Sequence, residues 1–169
     1  DGTPSGHLPV CETKPGALYP TCSSVPDPEA CTPPSNALVI NEFMANPFLI
    51  DDNTGEWIEL FNPSLSPVKL NGWSVRDEEV DYFTITSTSD LYIQPGGYFV
   101  LARSDNPQNN GNIKADYVYY NFTLGNGIDE IILLNAQHQE VDRVEYYAPE
   151  YPLYDGFTME LISPYLDNN

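Results

Sequence analysis

Residues 55–62 read GEWIELFN, and the way these eight residues lie decides the fold. In an extended strand successive side chains point to opposite faces. Trp57, Glu59 and Phe61 then share one face and Glu56, Ile58 and Leu60 the other, so a carboxylate sits between two aromatics. LVINEFM at 38–44 sets Glu42 between Ile40 and Met44, and EVDRVEYY at 140–147 places Asp142 beside Val144 and Tyr146. Around these three segments, short apolar runs predict further strands at 68–76, 82–86, 91–93, 98–103, 116–120, 129–135 and 157–162. Turn-forming stretches separate them, among them Asp51-Asp52-Asn53-Thr54-Gly55, Pro95-Gly96-Gly97, Gly125-Asn126-Gly127 and Asp155-Gly156. No eleven-residue window keeps a helical apolar stripe. Many short strands at this spacing predict an all-β sandwich or barrel.

Composition narrows the partners. The chain has 169 residues with 41% hydrophobic and 12% aromatic content, enough for one domain with a core, or one domain plus a tail. Six basic against 25 acidic residues leave a net charge of −19 and a pI near 4.1. Such a surface repels polyanions, and no Lys/Arg cluster makes a local exception, so nucleic acid is excluded as a partner. No apolar run is long enough for a membrane-spanning helix.

Residues 1–36 form a second compartment. They hold eight of the 16 prolines and almost no hydrophobic periodicity, and proline removes backbone donors and fixes φ, which excludes a helix or a central strand. The segment is read as an irregular, Pro/Cys-rich extended arm or linker preceding a sandwich over 37–169. Its Cys11, Cys22 and Cys31 are separated by ten and eight residues, unlike the close pairs of a zinc site. They allow one disulfide and one leftover thiol, with the pairing open. The chain opens at Asp1 without Met or leader, which is read as the processed end of a secreted protein.

Six segments taken in order resemble a lamin tail domain, the immunoglobulin-like β-sandwich of nuclear lamins and of many secreted bacterial proteins. They are LVINEFMANP at 38–47, GEWIELFNPS at 55–64, VKLNGWSVRD at 68–77, PGGYFVLARS at 95–104, LGNGIDEIILLN at 124–135 and QEVDRVEYY at 139–147. The resemblance implies an immunoglobulin-like fold, a bacterial or archaeal secreted context, and a non-catalytic module of the kind often appended to secreted enzymes. The arm has no counterpart in that pattern.

Glu42, Glu59 and Asp142 belong to those segments and are read as structural carboxylates. An inward-facing charge must be paired or hydrogen-bonded, and Asn41, the indoles of Trp57 and Trp73, Arg76, Arg143 and loop amides are at hand. Calcium binding and acid–base catalysis are the alternatives. Asp51, Asp52, Asn53 and Glu56 place oxygen donors around a glycine, a weak calcium-loop signal set against a solvated turn. The acidic run Asp77–Asp81 is a second possible contributor. His7 and His138 lack a nucleophile or an orienting acid, and no catalytic motif occurs. Eight of twelve tyrosines fall between 117 and 165; with Leu18 and Tyr19 of the arm, Tyr117, Tyr119, Tyr146, Tyr151 and Tyr154 are interface candidates, and core packing or a glycan platform the alternatives. Asn121-Phe122-Thr123 is an N-glycosylation sequon.

The sequence thus predicts no enzyme. It predicts an extracellular or cell-surface structural and assembly module, its arm docking on its own or a neighbouring sandwich, with further copies or other surface proteins as partners. The alternatives are a calcium-dependent glycan- or surface-binding module and an accessory domain of a larger secreted enzyme.

Overall fold

The computed structural model describes residues 38–147 and 154–162. They form eleven strands and one helical turn: β1 (Val39–Met44), α1 (Asp52–Gly55), β2 (Trp57–Phe61), β3 (Val68–Lys69), β4 (Ser74–Arg76), β5 (Tyr82–Thr84), β6 (Tyr92–Ile93), β7 (Tyr98–Ala102), β8 (Tyr117–Val118), β9 (Ile128–Leu134), β10 (Glu140–Tyr147) and β11 (Met159–Glu160). One sheet runs β11-β1-β2-β7-β8, the other β10-β9-β4-β5, and β3 pairs with β6. All ladders are antiparallel except β7 with β8.

The core lies between the two large sheets. Ile40, Phe43, Ile58, Leu60 and Leu101 from one pack against Val75, Phe83, Ile131, Leu133 and Tyr146 from the other. Phe43 and Tyr146 bring their rings to 4.9 Å across the gap. The GEWIELFN stretch is laid out as its period predicts: Ile58 and Leu60 face the core, while Glu59 is only half-buried on the opposite face.

Two differences from the sequence reading have local causes. The stretch predicted as one strand over 68–76 is two short strands in different sheets, parted at Asn71-Gly72. Gly72 adopts φ +88°, where a side chain is strained. Asn71 fixes the turn by donating to the Ser87 and Ser89 carbonyls and accepting from Leu91 N–H. The predicted turn at 51–55 closes into the single helical turn α1, because the Asp51 carboxylate accepts Asn53 N–H at 2.9 Å in an N-cap.

Candidate functional site: a tyrosine-lined groove beside a buried glutamate

The chemistry-bearing side chains gather at one end of the strip between the outermost strands β5 and β8. Tyr82 N–H on the outer rim of β5 donates to the Asn121 carbonyl at 3.2 Å. The Tyr117 hydroxyl accepts Thr86 N–H at 3.1 Å and donates to the Thr84 carbonyl at 3.4 Å. The open edge of β5 is thereby bridged to the segment that carries β8, which blunts it as a template for strand pairing. Over this bridge lies a groove of about 910 Å³, lined by Tyr82, Thr84, Tyr117, Tyr120 and Asn121 among others.

Beside the groove floor lies a buried carboxyl. Glu56 shares the inward face of Ile58 and Leu60 and is 0% exposed. Its Oε2 accepts Leu124 N–H at 3.2 Å, and Oε1 has no hydrogen-bond partner among the described residues. Burial pushes its pKa up to about 8, against the opposing pull of the Leu124 amide and of Arg103; Asp52 and Asp129 add to the rise. Arg103 ties the neighbouring segments together: Nη2 donates to Asn53 Oδ1 at 2.8 Å, and Nη1 to Thr123 Oγ1 at 3.3 Å and to the Phe122 carbonyl. Its guanidinium carbon lies 5.9 Å from the centre of the Tyr119 ring. Tyr119 is 1% exposed and stacks on Phe83 at 4.4 Å.

The structure redistributes the acids singled out in the sequence. Glu42 does not share a face with Ile40, because a bulge between Ile40 and Glu42 breaks the alternation. It stands directly opposite both Glu59 and Glu160 in the sheet, three glutamates abreast. Glu59 accepts from Asn41 Nδ2 at 2.8 Å; burial raises its pKa, Asn41 opposes this, and Glu42 adds to the rise. Asp142 is fully buried, and its Oδ2 accepts Ile40 N–H at 2.6 Å, joining the two sheets. Of the partners considered, Asn41 and a backbone amide thus serve Glu59 and Asp142. Arg143 instead pairs with Glu78, Glu140 and Glu145.

The four calcium-loop residues do not converge. Asp51 caps α1, Asp52 accepts from Asn126, Asn53 accepts from Arg103, and Glu56 turns into the core. Oxygens of Glu79, Asp129 and Glu130 do lie within 4.8 Å of one another, joining the acidic run after β4 to β9. Asp129 there accepts Gly125 N–H at 2.5 Å, and Glu130 accepts Glu78 N–H. Burial raises the pKa of both.

Tyr119 and Tyr146 are core residues rather than interface residues; the Tyr146 hydroxyl donates to the Gly125 carbonyl at 2.9 Å. Tyr117 is half-buried in the groove, and Tyr154 is exposed with its ring against Phe157. Asn121 is exposed at φ +61° on the groove rim. Leu18, Tyr19, Tyr151, His7 and the three cysteines lie outside the described residues.

Asn62 reads in the sequence as part of the turn Asn62-Pro63-Ser64, and its bonding role goes unread. It is buried, donates to the Ser66 and Ile93 carbonyls, and accepts from the backbone and hydroxyl of Ser64. The polar Asn-Pro step closing an apolar run was its only signal. Arg103 gave none, since its partners come from two distant segments, Asn53 and Tyr119–Thr123.

Fold and site together define a two-sheet, immunoglobulin-like β-sandwich whose buried polar groups knit strands and loops. The Lamin Tail Domain model matches residues 32–148, and the chain belongs to that family. It is a family of structural immunoglobulin-like domains rather than of enzymes. No curated protein matches the sequence. Among the described residues no helix is long and apolar enough to cross a membrane.

Proposed function

We propose that this chain is a non-enzymatic module of an extracellular or cell-surface assembly, and that residues 1–36 dock along β10 of the same or a neighbouring copy. The observation that carries the proposal is where the sandwich begins. Ile40 N–H is held by Asp142 of β10 at 2.6 Å, so the first described strand is tied to β10 near its start. β10 spans eight residues, stands last in the order β10-β9-β4-β5, and has β9 as its ladder partner among the described residues. An outer strand of that length is an acceptor for an extended segment. At the far end of the same sheet, Tyr117 and Asn121 already cover β5. The prolines confine pairing to short stretches, with Leu8-Pro9-Val10 and Gly16-Ala17-Leu18-Tyr19 the candidates. A leftover thiol of the arm is able to fix the contact covalently where the compartment is oxidising.

Hydrogen exchange on the full chain and on a chain lacking residues 1–36 tests this. Loss of protection along Arg143–Tyr147 on deletion is expected, with the shortened chain still folded. Light scattering then assigns the arm: a fall in mass beyond the deleted residues means a neighbour's β10, and a monomer throughout means its own. Equal protection of those amides in both chains refutes the docking.

A further inference from the structure

The groove between β5 and β8 differs in character from the rest of the molecule. On a chain of net charge −19, its lining holds one carboxylate, Asp81, and one guanidinium, Arg103. Tyr82 and Tyr120 on its walls are 63% and 69% exposed. Among the described residues, neither ring has an aromatic partner, and the side chains of Asp81, Asn121 and Thr86 make no hydrogen bond. The groove therefore offers two open aromatic faces beside an uncommitted carboxylate, amide and hydroxyl.

Three ligand classes can be removed on physical grounds. A peptide added as a strand needs the outward backbone groups of β5, and Tyr82 N–H, Thr84 C=O and Thr86 N–H already have partners. Polyanions are repelled by the net charge. An apolar ligand would leave the groove's polar groups unpaired on burial. A sugar ring satisfies both parts of the lining, with C–H faces for tyrosines and hydroxyls for the carboxylate and amide. The volume of about 910 Å³ falls in the range of roughly 300–1,000 Å³ usual for ligand sites.

We propose that this groove binds a neutral oligosaccharide, with Tyr82 and Tyr120 stacking on its rings and Asp81 and Asn121 hydrogen-bonding its hydroxyls. The site is independent of the β10 edge, so it stands or falls apart from the docking of the arm. The full chain is titrated with cello-, chito-, malto- and xylohexaose, with hexagalacturonate as the acidic control, by calorimetry and by amide chemical shifts. At least one neutral hexasaccharide is expected to bind with Kd below about 1 mM and to shift the amides of Tyr82, Tyr120 and Asn121. Tyr82→Ala and Tyr120→Ala, both at exposed positions, are each expected to weaken it about tenfold, while Tyr154→Ala, outside the groove, leaves affinity intact. Absence of binding by all four neutral sugars, shifts confined to another surface, unchanged affinity in both groove variants, or preference for hexagalacturonate overturns the proposal.

Discussion

Replacing Glu56 by glutamine tests the free-energy consequence of its buried charge. The folded protein holds the proton of this carboxyl up to about pH 8, against an ordinary value of 4.5. A group whose folded pKa is raised binds its proton more tightly in the native state, so its contribution to stability is fully present below 4.5 and is lost as pH rises through 8. At about 1.4 kcal/mol per pH unit over that interval, ionising Glu56 in place costs up to about 5 kcal/mol. That is comparable with the whole stability of a small domain, about 5–15 kcal/mol. Glutamine keeps a carbonyl for Leu124 N–H and cannot ionise. Chemical denaturation at pH 5, 7 and 9 is the assay: near pH 5 the two proteins are expected to agree within about 1 kcal/mol, and at pH 9 Glu56→Gln is expected to be the more stable by several kcal/mol. Glu59, Asp129 and Glu130 also have raised pKa values and contribute to the wild-type slope; Glu59 and Glu130 cancel in the difference between the two proteins, while Asp129, which acts on Glu56, adds to it. A difference that stays constant from pH 5 to pH 9 would refute the reasoning.

Two further predictions concern the other acids. Asp142→Ala strands the buried Ile40 N–H and should lower stability by about 2–3 kcal/mol, read from denaturant midpoints at unchanged slope; a loss below about 0.5 kcal/mol means that the two sheets are joined by other contacts at this point. Millimolar calcium is expected to raise Tm through Glu79, Asp129 and Glu130, with the effect absent in Glu130→Gln; identical melts in EDTA and in calcium remove calcium from the account.

Local pattern was enough for most of the strands and turns, though not for the break inside 68–76 or the helical turn at 52–55. Ile58 and Leu60 point inward because the pleat has period two, and Gly125-Asn126-Gly127 interrupts pairing for steric reasons acting within a few residues; the break at Asn71-Gly72 escaped the reading, because Asn71 is held by Ser87, Ser89 and Leu91 from further along the chain. Even so, the meaning of GEWIELFN was only half legible. The conspicuous acid was Glu59, framed by aromatics, yet Glu56 at the strand's edge is the one sealed in the core. Alternation put Glu56 on the face of Ile58 and Leu60, but its burial depends on Leu124 and Arg103, which the chain brings there from 68 and 47 residues away.

What the sequence determined by itself was the class of structure, since turn chemistry and side-chain alternation are local properties. Tertiary structure decided the rest. One inserted residue at the β1 bulge turned Glu42 outward, packing took Tyr119 and Tyr146 out of the surface, and strand order put β10 on the outside of its sheet among the described residues while side chains covered β5. Burial and partner geometry are sums over residues distant in the chain, and these sums fix the charge state of a carboxyl and leave tyrosine faces open to a ligand.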